Sequence, residues 1–126
     1  MNETGYIVFA HGSSVESANE AVRIVARQMA EQGGFGVVQA AFLEGGRPDL
    51  RGAVDQVAAA GVRRVVVVPY FLTLGLHLQR DLPLLVAELE ASHPNLHVEV
   101  TAPLDGHPGM VSALVDRARE TLCERE

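Results

Sequence analysis

Runs of consecutive apolar residues alternate along the chain with stretches in which apolar positions return every three or four residues, and this pair occurs four times. The first unit is an apolar run from Tyr6 to Ala10 that ends in small polar residues. Val15 to Gln32 follows, with Val22, Val25 and Met29 at helical spacing. Ser13 or Ser14 is placed to cap that helix, and Gly33 and Gly34 to stop it. The second unit runs from FGVVQAAFLE into a helix expected to start near Pro48, with Leu50, Val54 and Val57 inward and Gly61 at its end. The third is VRRVVVVPYF, a long loop, and a helix expected from about Gln79 or Leu82 to Ala91. That start puts Pro83 in the first turn, where a missing N–H costs a helix nothing. The fourth is NLHVEVTAPL and, after GHPG, a helix over Met110 to Leu122.

Strands alternating with helices imply right-handed crossovers and a parallel sheet. The uninterrupted Val65 to Val68 run suits a central strand buried on both faces. The expectation is an α/β fold: one domain over residues 1–126, a four-stranded parallel doubly wound sheet with helices on both faces, like half of a flavodoxin-type lobe. In such sheets ligands bind beyond the carboxyl ends of the strands, where strand order reverses.

Three strands deliver chemistry to that edge. The first ends in His11-Gly12-Ser13-Ser14, the second in Phe42-Leu43-Glu44-Gly45-Gly46, and the third leads through an apolar loop to His77. Neutral imidazole is a ligand for Fe, Co, Ni and Zn and also carries protons near neutrality. Two histidines and one carboxylate with open positions make a chemically sensible divalent-metal site, although residues so far apart in sequence form no local metal motif. The plainer reading of each is a loop histidine bonded to backbone, a solvated turn at Glu44, and a core or subunit contact for the apolar loop from Tyr70 to Leu78. His93 and His97 stand four apart, but Pro94 and the strand expected at Leu96 argue against a helical metal pair. His107 follows the fourth strand and reads as a turn or helix-start residue.

Composition narrows the function further. Sixteen acidic against ten basic residues give a net charge of -6, which leaves no electrostatic footprint for nucleic acid. The 48% hydrophobic and 21% charged content is that of a globular protein. No basic region precedes the first apolar stretch, which is too short for an export signal or a membrane span, and Cys123 is a lone cysteine. A cytoplasmic protein is expected. Neither G-x-G-x-x-G nor G-x-x-x-x-G-K-[ST] occurs, so no nucleotide or other organic cofactor is expected.

The ordered set of segments resembles a known family. AHGS after the first strand, AFLE with P-x-L after the second, and PLDGHP near the end are each weak signals. Together with VPYFLTLGLHLQRDLP, which follows FL-x-x-G-x-H-x-x-x-D-[LI]-P after a valine-rich strand, they are specific. The chain is similar over nearly its whole length to the small single-lobe class II chelatases (CbiX-like), which include the sirohydrochlorin cobaltochelatases and ferrochelatases. The resemblance implies insertion of Co2+, Fe2+ or Ni2+ into sirohydrochlorin or a related tetrapyrrole, in cobalamin- or sirohaem-type cofactor synthesis. It implies metal-binding roles for His11 and His77, an acidic role for Glu44, and a homodimer whose active site lies between two lobes. The divalent metal and the tetrapyrrole are then the partners of the chain.

The tetrapyrrole carries many carboxylates and this chain is acidic, so local donors are required. Ser13 and Ser14 at a helix start, and Arg47 and Arg80 near the same edge, are the candidates, with Phe71, Leu72 and Leu76 against the macrocycle. Arg80 stands where many relatives are expected to carry an acidic residue. A non-catalytic metal- or tetrapyrrole-binding module of the same fold is the alternative. An α/β-hydrolase lacks its G-x-S-x-G elbow here, and a histidine phosphatase lacks the Arg before His11, where Ala10 stands.

Overall fold

The expected order of four strand–helix pairs is present. The computed structural model describes residues 3–125 and the side chains of residues 3–122, so the side chain of Cys123 lies outside the described residues. In chain order the elements are β1 (Thr4–Ala10), α1 (Glu16–Gly33), β2 (Val38–Phe42), α2 (Leu50–Ala59), β3 (Arg64–Pro69), α3 (Leu76–Ser92), β4 (His97–Val100) and α4 (Pro108–Arg125). The strands form one parallel sheet in the order β2-β1-β3-β4. Strand order therefore reverses between β1 and β3, where Val8 pairs with Val68 and Phe9 with Pro69.

Side-chain alternation divides the core into two layers. Ile7, Phe9, Val65, Val67 and Val98 pack with Leu50, Val54 and Val57 of α2 and Leu82 and Leu89 of α3. Val8, Ala10, Ala40 and Phe42 point the other way, against Val22, Ala26 and Met29 of α1. Phe9, Phe42, Ile7 and Val67 are all at most 1% exposed, and full burial of each such side chain contributes about 1.5–3 kcal/mol. The valine run is thus buried from both sides along its first three residues.

Helix starts differ from the sequence expectation in three places. Neither Ser13 nor Ser14 caps α1. The N-cap is Val15, without a side-chain cap, and Ser13 Oγ instead accepts the Val15 N–H at 3.0 Å, one step outside the helix. Pro48 is not in the first turn of α2 either, because Asp49 takes the N-cap by accepting the Gly52 N–H at 2.8 Å. Helix α3 begins at Leu76, earlier than expected, since Gly75 O accepts from Gln79 N–H at 2.9 Å and the Gln79 side chain donates to Leu74 O at 2.7 Å. Pro83 consequently lies inside α3 and not in its first turn. Its ring is exposed, so the Gln79 carbonyl that loses its helical donor faces the solvent side of the helix.

Helix α4 stands apart from this packing. Every described side chain from Val111 to Leu122 is exposed, with Val111, Leu114 and Leu122 each more than 60% in solvent. Val111, Leu114, Val115, Ala118 and Leu122 recur at spacings of three and four, so they form one apolar stripe along the helix. The connection before it is pinned by backbone bonds from Leu104 N–H to Phe71 O and from Asp105 N–H to Leu72 O, at 3.0 and 2.8 Å. Among the described residues no helix is long and apolar enough to cross a membrane.

Candidate active site

The carboxyl ends of β1 and β3 meet at the reversal of strand order, and the ladder continues beyond them. Tyr70 N–H donates to Phe9 O at 2.7 Å, which carries the chain after β3 alongside the chain after β1. Alternation puts His11 on the same face as Phe9, the face that α2 and α3 cover. Its ring meets the Phe71 ring edge-on, with centroids 6.2 Å apart.

On the other side of β1 the chain after β2 follows the chain after β1 just as closely. Leu43 N–H donates to Ala10 O and Glu44 N–H to His11 O, at 2.9 and 3.0 Å. These bonds bring Glu44 Oε1 to 3.3 Å from His11 Nε2. Both side chains are exposed, 63% and 73%, so their mutual attraction is screened and contributes little to holding them together. The paths of the two loops fix the pair. Gly12 is required there: its φ is +91°, and a Cβ would lie 1.7 Å from Glu44 O.

His11 and His77 open onto one cleft of about 500 Å³ at this edge, walled by Phe9, Leu43, Phe71 and Leu76. His77 is carried by the first turn of α3 and not by the preceding loop, a consequence of the early helix start. Its Nδ1 lies 3.2 Å from Arg80 Nη2. A guanidinium only donates, so in this arrangement Nδ1 offers its lone pair to Arg80 and a neutral ring carries its proton on Nε2. Arg80 also pairs with Asp81 at 3.3 Å. Asp81 lines the cleft as well, four residues after His77 and hence on the same side of the helix.

The two histidines and the carboxylate are not equally close. Glu44 joins His11 but faces a second, polar cavity of about 580 Å³ with Glu16, Arg23, Arg47 and Asp49, separated from the first by Leu43. Among the described residues no three His, Cys, Asp or Glu side chains stand close enough to hold one ion together. The structure thus has His11 on the cleft with Glu44 behind it on the side of the polar cavity, and His77 with Asp81 on the cleft.

The remaining expected site residues are placed as follows. Phe71 is half-buried in the cleft wall, Leu76 is 84% exposed at its rim, and Leu72 is exposed outside it. Arg47 borders the polar cavity, where its carbonyl accepts from Arg23 Nη2 at 3.2 Å. Ser14 is exposed and Ser13 half-buried, its N–H and carbonyl both bonded to the Asn19 side chain. The other histidines have separate partners: His93 Nε2 meets Asp55 at 2.8 Å, His97 Nδ1 meets Glu90 at 3.2 Å, and His107 Nδ1 accepts from Gly109 N–H at the start of α4.

Two residues near the site escaped the sequence reading. Asp81 stood in the FL-x-x-G-x-H-x-x-x-D-[LI]-P pattern without a role, and the helix start at Leu76 is what puts it on the same side as His77. The signal for Asn19 was a polar residue three and ten positions before Val22 and Met29, on the face that the structure buries. It is 1% exposed and is the sole buried polar or charged residue among those described.

Arg23 lies in the polar cavity beside Glu16. It hydrogen-bonds Glu16 at 2.6 Å, and this bond, reinforced by its charge, holds the Glu16 carboxyl below the ordinary range while its own pKa is raised.

Comparison with known proteins yields consistent matches. The family model CbiX matches residues 5–121. A chloroplastic sirohydrochlorin ferrochelatase of Arabidopsis thaliana is 30% identical over 97% of this chain and 54% of its own, so the chain spans about half the length of that relative. A sirohydrochlorin cobaltochelatase of Methanopyrus kandleri is 30% identical over 94% of this chain and 96% of its own. Among solved structures, a CbiX protein of Marinobacter aquaeolei VT8 superposes with a TM-score of 0.84 at 31% identity, covering 98% of this chain and 99% of that one. The sirohydrochlorin chelatase SirB of Bacillus subtilis subspecies spizizenii, in complex with cobalt, shares the fold at a TM-score of 0.85 and 21% identity, with 95% of this chain on 51% of that one.

Proposed function

The chain belongs to the CbiX family, and from that premise we propose that it inserts a divalent metal, Co2+ or Fe2+ and by extension Ni2+, into sirohydrochlorin or a closely related tetrapyrrole. The observation that carries this reading is the opening of His11 and His77 onto one apolar cleft at the strand reversal, with Glu44 at 3.3 Å from His11. Insertion exchanges two pyrrole N–H protons for one M2+, so the site must present the ion, strip its water and accept two protons. Phe71 and Leu76 offer apolar surface to a macrocycle, and the two histidines of the same cleft are available to present an ion to its central nitrogens.

In this reading His11 and His77 present the metal while leaving positions open for pyrrole nitrogens. Glu44 can accept a proton, and so can His11 when it is not coordinated, the carboxylate then stabilising the imidazolium that forms. Arg47 and Arg80 meet the substrate carboxylates. Engagement of Arg80 by a carboxylate removes it from His77 Nδ1 and releases that lone pair for the metal. Electrostatics at long range favour the cation over the anionic macrocycle, in keeping with the net charge of -6. The product would feed cobalamin- or sirohaem-type cofactor synthesis.

One lobe walls the cleft from one side, and a second copy would supply the other. The exposed apolar stripe of α4 supports this assembly. The linker before α4 is pinned to the Phe71–Leu72 segment, and the stripe is exposed along its described length. An isologous pairing buries the same stripe twice.

The test is a set of variants in an insertion assay with sirohydrochlorin. His11→Ala and His77→Ala should each abolish acceleration in folded protein, and Glu44→Gln should lower kcat more than it raises KM. A binding module that does not turn over gives a different pattern: tetrapyrrole binding by wild type and variants alike, with no metallation above background by any of them.

A further inference from the structure

We propose that Asn19 is the positioning residue that sets the spacing of His11 and Glu44, acting as a buried clip between the two loops that carry them. Asn19 lies in the first turn of α1 and is 1% exposed. Its Oδ1 accepts the Ser13 N–H at 2.9 Å, and its Nδ2 donates to Ser13 O at 2.9 Å and to Gly45 O at 3.0 Å. One side chain therefore ties the residue two after His11 to the residue one after Glu44. Both amide hydrogens are used, and the two loops have no third layer between them.

The surrounding glycines show how close the clip draws the loops. Gly45 has φ +73°, and a Cβ on it would stand 2.9 Å from the Ser13 carbonyl carbon. A Cβ on Gly46 would lie 3.0 Å from Asn19 Nδ2 and 2.9 Å from the Phe42 ring. The loops thus meet backbone to backbone, directly over the amide. Since His11 and Glu44 are both mostly exposed, neither burial nor their own pairing holds the 3.3 Å spacing. The buried amide and the two backbone bonds beyond the sheet remain to do so, and of these only the amide belongs to a replaceable side chain. Outer partners that orient ligands in this way typically change metal affinity by 10–100-fold when removed.

The consequence for metal rests on the chelatase reading above; the clip itself does not. The experiment uses the full chain, isotope-labelled, in four forms: wild type, Asn19→Ala, His11→Ala and the double variant. Contacts between the His11 ring and the Glu44 side chain are read by nuclear Overhauser effects, Co2+ affinity by calorimetric titration, and Tm in parallel. Asn19→Ala should lose the His11–Glu44 contacts and weaken Co2+ about 10–100-fold. In the His11→Ala background the same change should alter Co2+ affinity less than about threefold, because the residue it positions is gone. Asn19→Asp keeps the shape and the acceptor for Ser13 N–H but puts an oxygen against Gly45 O, and it should behave like Asn19→Ala.

Retention of the His11–Glu44 contacts in folded Asn19→Ala overturns the proposal, as does an equal loss of Co2+ affinity in both backgrounds. If Asn19→Ala does not fold, Gly45→Ala separates the same loops from the exposed side, and unchanged His11–Glu44 contacts in that variant likewise overturn it. If wild type takes up no Co2+, the metal reading fails and the contact measurement alone decides the clip.

Discussion

Leu114→Glu tests the role of α4. Leu114 leaves 66% of its surface in water, in the middle of a stripe that no described part of the chain covers. Full burial of a leucine is worth about 1.5–3 kcal/mol, so covering the exposed two thirds contributes about 1–2 kcal/mol per copy. An isologous dimer buries the residue twice, which makes the loss about 2–4 kcal/mol, or roughly 30- to 700-fold in the dimer Kd. Sedimentation velocity over a concentration series reads that shift. Ser112→Glu, on the polar side of the same helix, is the control and should leave Kd within about twofold. Because Leu114 faces solvent, the stability of the isolated lobe should stay within about 0.5 kcal/mol. Identical association of Leu114→Glu and wild type, or a wild type that remains monomeric throughout, refutes the assignment of this stripe to a second copy.

Further outcomes follow from single contacts. Arg80→Ala removes a cation and frees His77 Nδ1, so Co2+ affinity without tetrapyrrole should rise by about fivefold, roughly 1 kcal/mol of relieved repulsion; weaker Co2+ binding contradicts this role. Asp49→Ala deletes the N-cap of α2 and should cost about 1 kcal/mol in urea denaturation; an unchanged midpoint contradicts the cap. The hydrogen bond and charge of Arg23 lower the Glu16 pKa in the folded chain, so the ion pair stabilises the fold above the ordinary value of 4.5 and that contribution is lost as pH falls through the lowered value. Carboxyl NMR titration should find the Glu16 midpoint below 4.5 and moved upward by Arg23→Gln.

The sheet was legible because its evidence is local. The Val65 to Val68 run suits a central parallel strand, and the alternation of strands and helices left little freedom in topology. Helix starts were less legible where side chains compete for the same backbone donors. Asp49 displaces Pro48 from the first turn, and Gln79 extends α3 backward by bonding Leu74, effects that apolar spacing does not encode. The early start of α3 moved His77 onto a helix and brought Asp81 beside it. The inward position of Asn19 was legible but its role was not. Its partners lie 6 and 26 residues away, so only the tertiary approach of two loops reveals what the amide does. The unpacked α4 was equally hidden, since an amphipathic pattern specifies a covered face without saying which chain covers it.

Metal insertion by this chain is decided by anaerobic metallation of sirohydrochlorin, followed by visible absorbance with Co2+, Fe2+ and Ni2+ in turn, beside a no-enzyme control and His77→Ala. Wild type should accelerate insertion of at least one of these metals, and the variant should return to the uncatalysed rate. Folded wild-type protein that accelerates none of the three reactions would contradict metal insertion by this chain.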